Sequence, residues 1–538
     1  MEVKASKATI WLQDCRRESK KIWSDLKHKN CVRLAILSIV VLLAALFVYL
    51  VAVPTISRLV ITRLVQLKND SDMLSRWLHQ PEPFLTKIYL WNVTNAVGVI
   101  TGLESPAFSQ VGPYVYEQFT EKIPIEFKKD SIVYMSRTNY RFRKDLTEPA
   151  SLDDIVVTLN VGLYGAAILV ESFAPSMVSL INDAVPTLFP GIDSILNPVR
   201  VGAYLFDGIV LHCGDAEGTA AMVCNALPEY APPTIRKLEN SSDFAFSFLA
   251  HKINNLRGPY EENRGMRDIM QVGNLMKLNN KTQLEMWQPG SQCDQLHGSD
   301  TQTFPPFLHS TDSIAIFISD ICQVLSLYFE NEDYLQGLLV YKFILSEQWL
   351  NSVANNTENS CYCLEGKDQF CQHNGVRDIS QCMKAPVVMS LPHFYLGDPE
   401  FRNYARGMRP HRDLHTSALY IEPQTGTPVK AAKRIQFNMN LRRIEGFHLV
   451  QNISEGLFPL VWMEETILLS NEVLGSVKLP LTIQWAVNTA CLVLMAVALM
   501  VGCSALIVFL YLSRVGCFRH VVSNQVMPLS QQPSVGSS

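Results

Sequence analysis

Charge is scarce in this sequence. Asp, Glu, Lys and Arg make up 18% of the 538 residues, against roughly 25% in soluble domains. The hydrophobic share, 48%, is ordinary, so the apolar residues must be bunched rather than spread. Catalytic signatures are missing too. There is no Gly-x-Ser-x-Gly elbow, no phosphate-cradling glycine-rich loop and no His-Glu-x-x-His helix. The chain therefore reads as a non-enzyme with no cofactor and no metal. Cys361-x-Cys363 is spaced more tightly than usual metal pairs and reads as cystine. His393, in Ser390-Leu391-Pro392-His393-Phe394, reads as a structural histidine at a strand end. An acidic surplus, net −4, speaks against a nucleic-acid partner. No internal repeat or long low-complexity linker is present, and the polar tail after His520 lacks periodicity, as disordered tails do.

What is present is apolar length at both ends. Residues 34–53 carry no charge and are bounded by Arg33 and Pro54; residues 486–512 carry none and are bounded by Trp485 and Arg514. A helix needs about 20 apolar residues to cross the hydrocarbon core, so both are predicted transmembrane helices. The first starts late for a signal peptide and lacks a small-residue cleavage site, which makes it an uncleaved anchor. Trp485 suits the membrane interface.

Flanking charge sets the orientation. Residues 1–33 hold nine Lys/Arg against four Asp/Glu, and the tail from Ser513 holds only Arg514 and Arg519, leaving −11 for residues 54–485. Positive flanks stay in the cytosol. That predicts cytosolic segments at 1–33 and 513–538, a two-pass plasma-membrane protein, and one extracellular or lumenal domain at 54–485. The basic first segment also suits anionic lipids of the inner leaflet. Six N-glycosylation sequons, at Asn69, Asn92, Asn240, Asn280, Asn355 and Asn452, all fall in that domain. So do eight of the 13 cysteines, an even number that predicts four disulfides in an oxidising compartment. Eight cysteines allow about a hundred pairings, and spacing does not choose among them. Cys31 and Cys517 lie beside the membrane and suit either S-palmitoylation or free thiols.

Residues 155–189 hold only Glu171 and Asp183 as charges. Glu171 and Pro175 in mid-stretch oppose a third membrane span. The stretch is predicted to form two or three apolar helices, broken near Pro175 and Pro186, within a helical region at about 151–200. Residues 184–190 form an apolar connector of the kind that meets a ligand, partner or membrane, or is simply buried. Elsewhere the pattern is β. Ile123, Ile125 and Phe127 alternate, Lys128 to Ser131 reads as a turn, and Tyr140 and Phe142 alternate with Arg141 and Arg143, as in a half-buried hairpin. Further strands are predicted at 338–345, 387–391, 419–421, 434–440 and 447–450.

Several motifs resemble the class B scavenger receptor and lysosomal integral membrane protein family. In order they are Gly112-Pro113-Tyr114-Val115-Tyr116, Gly258-Pro259-Tyr260-Glu261, Arg264-Gly265-Met266-Arg267-Asp268, Phe304-Pro305-Pro306-Phe307 and Ser319-Asp320-Ile321-Cys322. Cys361-Tyr362-Cys363, the run from Gly375 to Cys382, Ser390 to Phe394, Ile421-Glu422-Pro423 with Thr425-Gly426, and Ala432-Lys433-Arg434 complete the set. Within that family the chain looks most like the insect sensory neuron membrane proteins, on Leu205 to Cys213 followed by Cys224, and on Ile181 to Phe189.

The resemblance implies an α+β membrane protein with a large antiparallel β-barrel ectodomain, a helical bundle at its apex, a lipid tunnel and two transmembrane helices. It implies disulfides Cys293–Cys361, Cys322–Cys382 and Cys363–Cys371, leaving Cys213 with Cys224. The bundle would then face the ligand, with Phe173, Met177, Leu180, Ile181, Val185, Leu188 and Phe189 as a lipid entrance or as bundle core. Fatty-acid-handling vertebrate members carry a lysine just after Ile-Asn in the connector, whereas this chain has Asp183, which favours a neutral lipid. The function so implied is a lipid-binding receptor or co-receptor of chemosensory cells. It would take hydrophobic odorants such as pheromones from an odorant-binding carrier protein and pass them to an odorant-receptor channel or the bilayer. A scavenger receptor for lipid uptake in other tissue, and an adhesion or protein-trafficking receptor, are the alternatives.

Overall fold

The computed structural model describes residues 2–364 and 368–524, with side chains from 25 to 513 apart from Phe173 and 368. It divides into two units, Ile61–Val477 and the chain before and after it.

The terminal unit is built on two long apolar helices, Asp25–Val65 and Asn471–Ser513. Both run beyond the charge-free stretches. Pro54 does not end the first, although proline removes a donor and crowds the carbonyl four residues back. The helix relaxes instead into a π-turn at Val48–Ala52 and continues as Val53–Val65, the local widening that absorbs such a misfit. The two helices approach closely at a small residue: a Cβ on Gly502 would lie 2.6 Å from Ser38 Oγ. His28 Nε2 meets Ser513 Oγ at 3.1 Å.

The larger unit is an antiparallel barrel of eleven consecutive partners. In chain order they are β1 (Phe84–Val93), β2 (Phe108–Phe127), β3 (Ser131–Phe142), β4 (Leu256–Asn263), β5 (Leu275–Leu278), β6 (Ser313–Ile318), β7 (Gln323–Leu335), β8 (Leu338–Leu345), β9 (Ala418–Glu422), β10 (Thr427–Leu441) and β11 (Gly456–Leu468). The order across the sheet is β5-β4-β3-β2-β1-β11-β10-β9-β8-β7-β6. Short strands Val376–Asp378 and Val388–Ser390 extend it from β10. Every other pair in that order joins chain neighbours, while β1 pairs with the last strand, β11, where Tyr89 stacks on its register partner Trp462 at 4.0 Å.

The motif glycines act where the ladders are tight. Gly112, at φ +114°, faces the β1 bulge, and a Cβ there would lie 2.7 Å from Ile88 O. The two edge strands are joined by Gly298-Ser299. Leu275 N donates to Gly298 O, Ser299 N to Ala315 O and Phe317 N to Ser299 O, at 2.8, 2.9 and 2.8 Å. Gly298 has φ +86°, and a Cβ on it would lie 2.7 Å from the Ala315 carbonyl. Only glycine lets this two-residue stave close the barrel. Four disulfides join Cys213–Cys224, Cys293–Cys361, Cys322–Cys382 and Cys363–Cys371.

Two expectations are corrected. Residues 155–159 belong to a strand, Ile155–Leu159, paired with Leu196–Arg200 rather than to a helix. Ile-Val-Val-Thr-Leu is rich in β-branched residues, which lose rotamer freedom in a helix. Residues 447–450 form a turn, His448–Val450, not a strand. Phe447 and Val450, both fully buried, sit three apart as one face of a turn, and His448 N donates to Asn182 Oδ1 at 3.0 Å.

Candidate functional site

Three helices make the candidate site: α1 (Val161–Phe173), α2 (Val178–Leu188) and α3 (Gly218–Tyr230). Asn160 starts α1 by accepting the Leu163 N–H at 3.1 Å, the usual service of an N-cap. Ala174-Pro175 ends it, and a 3₁₀ turn, Pro175–Met177, leads into α2. Pro186 does not break α2. It sits in the last turn, where proline's helical φ is kept and one bond is lost. The third helix lies beyond the 151–200 region expected to be helical, and the Cys213–Cys224 bond ties it to the loop that follows the strand Ile209–Leu211. Asp243 Oδ1 accepts from Cys213 N and Gly214 N at 2.7 and 2.8 Å. These two bonds hold its carboxyl below the usual range.

The faces of α1 differ by residue size. Leu163, Tyr164 and Ala167 are buried. The Tyr164 hydroxyl accepts from Arg442 N at 2.8 Å and reaches Asn440 O at 2.9 Å. Glu171, the charge that opposed a third span, accepts from both terminal guanidinium nitrogens of Arg442, the Nη1 contact being 3.0 Å. On the other face lie Gly162, Gly165 and Ala166. They leave a cavity of about 480 Å³, closed opposite by Met222, Val223 and Ala226 of α3 and floored by Phe246 and Met439. Among the described residues, none that lines it is charged. A Cβ on Gly165 would meet nothing within 4 Å. Met177, Met222 and Tyr230, at the rim, are exposed. The volume lies in the ordinary range of small-molecule sites, about three times the roughly 150 Å³ that admits benzene.

The predicted lipid-entrance residues divide. Met177, Leu180 and Ile181 line the cavity. Val185, Leu188 and Phe189 do not, and all three are buried in the core. The Phe173 side chain lies outside the described residues. Sequence reasoning missed Gly162, Gly165 and Ala166, whose signal was three small residues at i, i+3 and i+4, and also missed α3. Asp183 is exposed. Its neighbour Asn182 ties α2 to the loop below, donating to Gly446 O at 2.6 Å.

A second cavity, of about 200 Å³, lies within the barrel between Tyr140 and Tyr260 on one side and Leu325 and Leu419 on the other. It shares no lining residue with the first. His393 is a structural histidine, with Nε2 at 2.9 Å from Gln110 Oε1 and Nδ1 accepting from Arg409 N at 3.0 Å. Asn69, Asn240, Asn280, Asn355 and Asn452 are exposed, and Asn92 is half-buried. Cys31 is half-buried. The Cys517 side chain lies outside the described residues.

Comparison with known proteins agrees with this architecture. The model of the CD36 family matches residues 35–511. Sensory neuron membrane protein 2 of Heliothis virescens is 33% identical over 408 residues, covering 74% of this chain and 78% of that protein. Its namesake in Manduca sexta is 32% identical over 438 residues, covering 80% and 84%. Sensory neuron membrane protein 1 of Apis mellifera is 28% identical over 431 residues, covering 80% and 81%.

Proposed function

The chain belongs to the CD36 family and is a two-pass membrane receptor of the scavenger class, and from that premise we propose that it captures neutral long-chain lipids in the three-helix cavity. The ligand class is a hydrophobic odorant of pheromone type, such as a long-chain ester, alcohol, aldehyde or hydrocarbon. The receptor acts at the plasma membrane of a sensory cell, with both termini in the cytosol. It receives its ligand from a carrier protein and hands it to an odorant-receptor channel or the bilayer. The names of its relatives support the sensory setting.

One observation carries the choice of ligand: about 480 Å³ of cavity without a charged lining side chain among the described residues. A carboxylate placed there would lose its hydration with no cation to replace it. A neutral chain gains about 0.8 kcal/mol for each methylene buried. Transfer between apolar surroundings needs no catalyst.

Gly165→Phe is the test, because its side chain enters open space rather than the core. The variant should fold normally and bind a fluorescent long-chain ester at least about tenfold more weakly, the loss of two buried methylenes. Unchanged binding would remove the cavity from the mechanism.

A further inference from the structure

We propose that the barrel cavity is a binding site for a small monovalent anion, held at Lys252 and Arg257 and separate from the lipid cavity. The groups that build it come from motifs the lipid site leaves unused. Asp320 is supplied by Ser319-Asp320-Ile321-Cys322, Lys433 by Ala432-Lys433-Arg434, and Tyr260 by Gly258-Pro259-Tyr260.

The charges lining this cavity do not balance. Four cations, Lys122, Lys252, Arg257 and Lys433, face three carboxylates, Asp300, Asp320 and Glu465. Lys122 pairs with Asp300, and Lys433 pairs with Glu465 at 2.6 Å. That leaves Asp320 to serve both Lys252, at 2.9 Å, and Arg257, at 3.4 Å, with Lys433 a further 3.9 Å contact. Among the described residues that line the cavity, one positive charge remains without a counter-charge.

Neighbouring titratable groups do not alter the count at neutral pH. Burial, then the charge of Lys252, holds the His251 imidazole down to about 4, so it stays neutral. Its Nδ1 is buried with no hydrogen-bond partner among the described residues. Burial lifts Glu262, behind Lys122, to about 8, so it is mostly protonated. Burial opposes the charge on Asp320, but Lys252, Lys433 and Arg257 outweigh it and keep its carboxyl far below the usual range.

Excess buried charge is costly and is normally paired. Lys252 is buried, its side chain 9% exposed, while that of Arg257 is 31% exposed. An anion between them would complete the pairing that solvent reaches only at Arg257, and about 200 Å³ is room enough for it with a few waters. A deficit of one charge selects a monovalent ion.

The probe is chloride, read by thermal unfolding of the full chain in nanodiscs, with chloride exchanged for bulky gluconate at constant ionic strength. Chloride should raise the melting temperature by about 2 °C, as a ligand of the native state does. Lys252→Gln and Arg257→Gln, which each restore neutrality, should abolish that shift, and Asp320→Asn, which doubles the deficit, should enlarge it. Equal melting in the two salts, or a shift that survives in both Lys252→Gln and Arg257→Gln, would overturn the proposal. The two neutralising variants suffice where Asp320→Asn does not fold.

Discussion

The imidazoles of His393 and His415 stack with centroids 4.3 Å apart and planes inclined by 19°. Each uses Nδ1 as an acceptor, from Arg409 N and His411 N respectively, so neither can take a proton without losing a bond. Burial, then the Arg409 charge, holds His393 down to about 4. Burial, then His393 itself, holds His415 down to about 3. An unfolded histidine titrates near 6.5. The pair therefore contributes full stability above about pH 6.5, and that stability is lost as the pH falls toward 4 and then 3. Full-length protein should melt at progressively lower temperature from pH 7 to 4, with several kcal/mol involved. His415→Asn should flatten that slope; an unchanged slope would dismiss the pair as its source.

Glu262 runs in the opposite direction. It is fully buried, accepts from Trp77 Nε1 at 3.0 Å and lies 2.9 Å from the Tyr134 hydroxyl. Burial raises its carboxyl to about 8, so the unfolded chain ionises first and native stability is lost as the pH rises from about 4.5 through 8. Glu262→Gln should be neutral or slightly destabilising at pH 5 and stabilising at pH 8.5. A variant less stable than the parent at pH 8.5 would contradict this.

Arg442 holds the far end of α1 to β10 through Glu171. Both side chains are partly exposed, so Arg442→Ala should cost only about 1–2 kcal/mol of stability. It should nonetheless loosen the cavity wall and weaken neutral-lipid binding. Measuring melting and ester binding on the same sample separates the two effects.

Gly298→Val should be among the most damaging single substitutions. It forces a β-branched residue to φ +86° and drives its Cβ against the Ala315 carbonyl. The expected loss exceeds about 4 kcal/mol, visible as failure to reach the cell surface. Gly191→Val, also at positive φ but with open space around it, should cost much less.

Glycan occupancy should follow the side chains. Asn92 Oδ1 accepts from Val157 N at 2.7 Å and its Nδ2 lies 3.3 Å from Ser109 Oγ. Asn92→Gln should leave electrophoretic mobility unchanged, whereas Asn240→Gln, Asn280→Gln and Asn452→Gln should each remove one glycan. A mobility shift for Asn92→Gln would refute the distinction.

The sequence spoke clearly where chemistry is local. A charge-free run of 20 residues has few alternatives to a long apolar helix, and the strand expected at 338–345 coincides with Leu338–Leu345. The alternation of Tyr140 and Phe142 likewise marked β3. Local reading failed where spacing was ambiguous. Phe447 and Val450 suit a strand or a turn, and only the Asn182 contact decides. The three-helix cavity was half legible, because Met177 and Leu180 advertise themselves and an empty space beside Gly165 does not. The barrel cavity was illegible. Lys122, Lys252, Asp320 and Lys433 are spread over three hundred residues, and only the strand order brings them together.

The separate walls of the two cavities have a consequence for transit. A hydrocarbon chain beside Gly165 would rest in oil-like surroundings. To move on through the barrel it must pass seven charged side chains, whose hydration it would have to strip. For the cargo we propose, that step would be uphill, and the barrel would slow its departure from the helical pocket rather than offer an open pipe.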